Sequence, residues 1–126
     1  ESPSRAAGMH ELAVCQGLMA QVAQVARRED AEQVTRILLS IGPLSGVEAR
    51  LLADAFPIAA AGTVAEGAQL EIEQLPIRVK CLTCSEETEA AANRLLCGAC
   101  GDYRTRLLSG DELLLKSLEL ERRQHA

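Results

Sequence analysis

Apolar residues recur at steps of three and four from Leu12 through Cys15, Met19, Val22 and Ala26. Those steps put them on one face of a helix. The pattern predicts a first helix from about Met9 to Arg28, ended by the polar run "RREDAEQ". Cys15 lies in the middle of the apolar face and reads as a buried core thiol rather than a reactive one. The period then changes. "QVTRILLSIG" is rich in β-branched and apolar residues, and Ile37, Leu39 and Ile41 share a face by the period-two rule. Gly42 and Pro43 stop this strand. In "SGVE", Ser45 with Glu48 fits a capping box for a second helix carrying Val47, Leu51, Leu52 and Ala55. Pro57 lacks an N–H and must kink or shorten that helix. After a turn between Gly62 and Gly67, "AQLEIEQLPIRV" sends Leu70 and Ile72 one way and Glu71 and Glu73 the other. Pro76 predicts that this strand becomes an edge or leaves its sheet there. A third strand is predicted in "SGDELLLKSLEL", after a glycine turn, and the charged tail "ERRQHA" is expected to fray.

Between the second and third strands the periodicity gives way to chemistry. "CLTCSEETEAAANRLLCGAC" sets Cys81 and Cys84 two residues apart, then repeats the spacing at Cys97 and Cys100 after twelve residues. Two such turns facing each other supply four sulfurs about 2.3 Å from a tetrahedral zinc. Gly98 and Gly101 permit tight backbone in the second turn. The lobe has almost no apolar material beyond Leu82, Leu95 and Leu96; it is expected to build no core, so the metal must supply most of its folding free energy. A dithiol redox site needs only one CxxC, usually at a helix start. Iron is chemically possible in a four-thiolate site. With no spare ligand and no histidine nearby, the metal reads as structural rather than catalytic.

Composition narrows the functional classes. Phe56 and Tyr103 are the only aromatics, apolar residues make up 48% and the net charge is -5. A chain of 126 residues is one domain, with room for a small attached lobe. The acidic balance gives no global pull toward nucleic acid or an anionic membrane, and no apolar run approaches a membrane span. Within the lobe, Arg78, Lys80, Arg94, Arg104 and Arg106 stand against Glu86, Glu87, Glu89 and Asp102, which is not a basic stripe. The leader "ESPSRAAG" has no apolar region of a signal peptide, and five cysteines without such a signal favour a thiolate metal site over a disulfide framework. No Ser/His/Asp, Cys/His or glycine-rich phosphate-binding constellation is present, so no catalysis is expected.

Four stretches together, "MHELAVCQGLM", "ILLSIGPLSGVE", "GAQLEIEQLPIRVKCLTC" and "LLSGDELLLKSLEL", resemble the HypA/HybF family of hydrogenase maturation proteins. The resemblance runs from Met9 to about Glu121. It implies a cytoplasmic nickel metallochaperone that carries Ni(II) to the large subunit of [NiFe]-hydrogenase, working with a maturation GTPase. Some members of the family also serve urease, with its accessory proteins as partners. It implies an α+β fold: two helices packed on a small three-stranded sheet, with a four-cysteine zinc-ribbon lobe inserted after the second strand. The expected layout is a leader at 1–8, a nickel lobe at 9–77 plus 107–121, a zinc lobe at 78–106 and a tail at 122–126. Leader residues 1–8 are expected to be an expression remnant rather than native sequence.

The same resemblance carries the nickel ligands onto the backbone of Met9, the imidazole of His10 and the backbone of Glu11, with Glu48 as a weaker carboxylate. Ni(II) favours nitrogen donors in square-planar or tetragonal arrays, which suits an amine, an imidazole and backbone amides. From the residues alone His10 reads as a lone exposed histidine at a helix start, and Glu48 as a capping residue. Some members carry a histidine directly after a CxxC, but Ser85 and Gly101 occupy those places here, so zinc ligation by histidine is not supported. Three classes thus stand side by side: a nickel carrier with structural zinc, a zinc-ribbon interaction module without nickel transport, and a thiol-disulfide enzyme.

Overall fold

The computed structural model describes the backbone of residues 3–124 and the side chains of residues 9–124. In chain order the elements are α1 (Pro3–Arg28), β1 (Ala31–Ile41), α2 (Ala49–Ala60), β2 (Gln69–Gln74), β3 (Ile77–Cys81), β4 (Glu87–Ala90), β5 (Thr105–Ser109) and β6 (Leu113–Arg122). They form two three-stranded sheets, ordered β2-β1-β6 and β4-β3-β5. The fold is the mixed α+β architecture expected. The second sheet was not expected.

Helix α1 starts at Pro3, ahead of the predicted start at Met9. Proline suits a first helical position because its missing N–H would be unpaired there anyway. Ala6 and Ala7 then have high intrinsic helix propensity. Strand β1 begins two residues before its predicted start at Gln33. The predicted second strand splits at Pro76 into β2 and β3, which lie in different sheets, so the proline ends the strand as expected. The predicted third strand is also divided: Ser109 closes β5, and β6 starts only at Leu113. Arg122, assigned to the fraying tail, is the last residue of β6, and the Arg123 N–H donates to the Asp30 carbonyl at 2.9 Å. His125 lies outside the described residues, as do Glu1 and Ser2 of the leader.

The chain forms two compact units. One is built from the chain up to Leu39, Val47–Ile72 and everything from Leu115; the other from Ser40–Gly46 and Glu73–Leu114. In the first unit α1 buries Glu11, Cys15, Leu18, Met19, Val22 and Ala26, while α2 buries Leu52, Ala55, Phe56 and Ala60. Val34, Ile37 and Leu39 of β1 complete that core. The stripe read from the sequence is therefore the buried one, shifted so that Leu12 is only half-buried and Leu18 is inside. Pro57 sits in the last turn of α2, and the helix ends at Ala60.

In the second unit Ile77, Val79, Cys81 and Cys97 are buried. Strand β3 pairs antiparallel with β4 and with β5. Arg78 faces Glu89 and Lys80 faces Glu87 across the β3–β4 ladder, a favourable cross-strand arrangement. The lobe thus has a small core of its own, contrary to the expectation that it builds none. Of the three leucines expected to be its only apolar material, Leu82 and Leu95 are exposed and Leu96 is half-buried. The ends of the lobe are pinned to one short stretch. Leu75 N–H donates to the Ile41 carbonyl at 2.9 Å, Gly42 N–H to Glu112 at 2.9 Å and Leu44 N–H to Gly110 at 2.7 Å. Gly42 and Gly110 pass so closely that a Cβ on Gly42 would lie 2.1 Å from the Gly110 carbonyl oxygen.

Burial, helped by the nearby Glu11 carboxylate, pushes the Cys15 thiol up to about 11 from an ordinary 9.0. Its Sγ donates to the Leu52 carbonyl at 3.5 Å. Raising an acid's folded-state pKa means that the folded chain favours the neutral thiol. The resulting stability is full below the unfolded value and is lost as pH rises through the folded one. Cys15 is therefore expected to resist iodoacetamide in the native protein at about pH 8 and to react once unfolded. Between about pH 9 and 11 the wild type should lose more stability than Cys15→Ala, read by denaturant midpoints across that range.

Candidate metal centre

Cys81 ends β3, so the pleat of that strand delivers the first sulfur; Cys84 follows on a tight turn. Cys97 and Cys100 occupy a second turn of the same design. In the first, Thr83 and Cys84 N–H groups both donate to Cys81 Sγ at 3.3 Å. In the second, Ala99 and Cys100 N–H groups donate to Cys97 Sγ at 3.3 and 3.4 Å. The turns bring all four sulfurs within 4.8 Å of one another. Cys81 Sγ lies 3.6 Å from Cys100 Sγ, and Cys84 Sγ lies 3.6 Å from Cys97 Sγ. These are contacts between sulfurs of different turns, and all four cysteines are free of disulfides.

Electrostatics divide the set in two. N–H donation from Cys100, then Ala99, pulls the Cys97 thiol down to about 6. Cys81 is lowered in the same way, chiefly by the Cys84 N–H. At Cys84 the Glu86 N–H pulls down, but burial and the sulfurs of Cys97, Cys81 and Cys100 win and raise it to about 12. Cys100 is also raised: the Asp102 N–H pulls down and is outweighed by the Cys81 sulfur, burial and Cys97. Backbone N–H donation thus favours the thiolate at Cys97 and Cys81, while the neighbouring sulfurs and burial oppose it at Cys84 and Cys100. The positive φ of Gly101 (79°) and Ser85 (68°) closes the two turns, so the glycine is used where expected. Gly98 N–H donates to Thr88 Oγ1 at 2.8 Å, and a Cβ there would press on Thr88 at 3.2 Å.

Around the sulfurs lies a polar cluster that was not read from the sequence. Thr83 Oγ1 donates to Asp102 Oδ2 at 2.6 Å, and Arg104 grips the same carboxylate through Nη2 at 3.1 Å and Nε at 3.3 Å. Arg104, ahead of Thr83, holds Asp102 well below the usual carboxylate range. A short polar residue inside one CxxC and an acid two residues after the other were the available signal.

The other predicted residues lie in the first unit. Met9 and His10 are exposed on α1. Glu11, the next residue, is only 2% exposed. Its Oε2 accepts the Glu48 N–H at 2.7 Å, so Glu11 and Glu48, 37 residues apart, are joined directly. Glu48 is the N-cap of α2 but makes no side-chain cap bond, and the helix starts at Ala49. The Ser45–Glu48 capping box is therefore not formed: the carboxylate of Glu11 takes the amide that such a box would satisfy. An anion at a helix start is favoured by the macrodipole as well as by the hydrogen bond. Glu11 Oε1 is buried with no hydrogen-bond partner. Only the backbone of Glu11 was singled out as functional, yet Glu11 falls four residues before Cys15, on the same helical face.

A four-sulfur centre on paired turns, carried by a small helix-and-sheet protein, defines a metal-binding protein rather than an active site. Comparison with known proteins names the family. A sequence model described as hydrogenase/urease nickel incorporation, metallochaperone, HypA matches residues 9–120, and the chain belongs to the HypA family. It is a metallochaperone and maturation factor, not an enzyme. The hydrogenase maturation factor HypA of Nitrosospira multiformis is 49% identical over 112 residues, 89% of this chain and 97% of that one. The HypA of Aquifex aeolicus is 43% identical over 113 residues, covering 90% and 98%. The solution structure of the Ni metallochaperone HypA from Helicobacter pylori aligns with a TM-score of 0.67 at 25% identity, over 90% of this chain and 98% of that chain. A second solution structure of a HypA protein aligns with a TM-score of 0.69 at 26% identity, over 91% and 98%. Among the described residues no helix is long and apolar enough to cross a membrane.

The Glu11–Glu48 bond yields a direct expectation. In Glu11→Ala the Glu48 amide should lose at least about tenfold of its hydrogen-exchange protection, equal to about 1.4 kcal/mol. Glu11→Gln keeps an acceptor and should retain most of that protection, measured residue by residue by NMR.

Proposed function

We propose that this chain binds Ni(II) as cargo in the cytoplasm and delivers it for assembly of [NiFe]-hydrogenase, while a structural Zn(II) holds the four-cysteine lobe. A GTPase of the maturation pathway and the hydrogenase large subunit are the proposed partners, and urease accessory proteins are further candidates. Cargo binding is assigned to the backbone of Met9, the His10 imidazole and the backbone of Glu11, with Glu48 as a weaker carboxylate ligand.

The observation that carries this assignment is the bond between Glu11 and Glu48 beside an exposed histidine. It draws the start of α2 to the residue next to His10. An unsatisfied buried carboxylate oxygen is rare in a folded protein and calls for a reason. Glu11 Oε1 is such an atom. The zinc assignment rests on the sulfurs. A tetrahedron with bonds of about 2.3 Å has edges of about 3.8 Å, close to the 3.6 Å between facing sulfurs. Four thiolates leave no open position, so bound zinc would supply a fixed cross-link and no Lewis acid to a substrate. The residues proposed for nickel all belong to the first unit and the four cysteines to the second, so exchange of cargo need not dismantle the lobe.

Isothermal titration of Ni(II) into the zinc-loaded chain tests the assignment. Binding near one nickel per chain is expected, and His10→Ala should abolish tight binding while zinc content stays unchanged. Zinc retained with no nickel affinity in the wild type would leave an interaction module instead. Cleaving the peptide bond before Met9 frees an amine, a far better nickel donor than an amide near neutral pH, and should tighten binding at least about tenfold. Equal affinities with and without residues 1–8 would remove the Met9 nitrogen from the ligand set. For the other metal, Cys97→Ser should lower zinc content below half and loosen the lobe, while the circular dichroism of the helices persists.

A further inference from the structure

The two cysteine turns are related by more than their spacing. Cys81 N–H donates to the Glu86 carbonyl, and Cys97 N–H donates to the Asp102 carbonyl, both at 2.9 Å. Ser85 N–H returns to Cys81 at 3.1 Å, and Gly101 N–H returns to Cys97 at 2.9 Å. Exchanging 81 with 97 and 84 with 100 also carries the Cys81–Cys100 contact onto the Cys97–Cys84 contact, both 3.6 Å. The backbone of the site therefore has an approximate two-fold symmetry. That symmetry maps Thr83 onto Ala99 and Asp102 onto Glu86.

The side chains break it. Thr83 reaches across to Asp102 with a 2.6 Å hydrogen bond. On the opposite side the equivalent pair is Ala99 and Glu86, and an alanine methyl has nothing to donate. Asp102 is in turn fixed by Arg104, whose own N–H donates to Oδ1 at 3.0 Å and whose carbonyl accepts the Leu82 N–H at 2.8 Å. Arg104 thus holds both turns, one through its carbonyl and the other through its guanidinium and amide.

We propose that Thr83, Asp102 and Arg104 form a latch between the two cysteine turns that sets how slowly the centre releases its metal, and that the chain installs only one of two symmetry-related latches. The proposal rests on the zinc reading given above. Each turn holds two of the four sulfurs, so metal can leave only if the turns part, and the Thr83–Asp102 bond opposes that separation. Arg104 adds a positive charge beside a centre that carries a net charge of −2 when four thiolates hold a divalent ion. None of the three is a ligand; they act as positioning residues.

Zinc content of the purified chain is measured first, then zinc transfer to the chromophoric chelator 4-(2-pyridylazo)resorcinol is timed. Thr83→Val removes the donor, keeps the shape and leaves Asp102 paired with Arg104; release is expected to quicken about tenfold. The double substitution Ala99→Thr with Glu86→Asp builds the missing latch on the other side. Added to Thr83→Val, it should restore at least half of the lost retention on a logarithmic scale. Damage local to residue 83 would not be repaired from the opposite turn. Wild-type zinc well below one per chain removes the zinc reading, and the latch with it. Full zinc content with equal release rates for wild type and Thr83→Val overturns the latch alone, as does a failure of the transplanted pair to slow release.

Discussion

The lobe built from Glu73–Leu114 depends on one constraint: four sulfurs from two turns must meet at a point. Mutual repulsion would scatter four thiolates, so the chain first supplies N–H donors to two of them. It also places the turns at fixed sites, one at the end of β3 and the other leading back into β5. The small sheet then has a purpose beyond its modest core. Val79 and Ile77 are buried, and their strand carries Cys81 to its position. Paired cysteine turns, a short ladder and a polar cluster therefore reinforce one another, where none alone would hold a lobe of this size.

The helical unit meets a different demand. With almost no aromatic side chains, it fills its interior with Leu, Val, Ile, Ala and sulfur-bearing residues. Into that interior it admits a carboxylate. Glu11 costs desolvation free energy, partly offset by the Glu48 amide and the start of α2. Such an expense directly beside an exposed histidine is what a binding site needs if its frame is to be rigid while its face is open.

Much of this was legible in the chain. The CxxC pairs could be read because coordination chemistry fixes both residue type and spacing, and the stripe from Cys15 to Ala26 could be read because burial enforces its period. Strands β4 and β5 were not legible. Glu87–Ala90 carries two glutamates and no large apolar side chain, and its stabilising partners, Arg78 and Lys80, become neighbours only in the ladder. The capping box at Ser45 and Glu48 was a sound local inference, defeated by a competitor 37 residues away. The early start of α1 was missed because an apolar pattern cannot mark a helical turn made of alanine and polar residues. Thr83, Asp102 and Arg104 went unread for a related reason: their meaning lies in a symmetry of turns that spacing alone does not display.

The pinning of the lobe's two ends has an architectural consequence. Leu75, where the chain enters, and Gly110, where it leaves, both bond within the four residues Ile41–Leu44. The contact of Gly42 with the Gly110 backbone leaves no room for even one carbon between them. Entry and exit therefore close on one short stretch of the same unit, as the two ends of a loop meet at a clasp. A change in length between Ile77 and Ser109 leaves this closure intact, provided the two glycines are kept. That length of chain is thus free of the close packing that fixes its two ends.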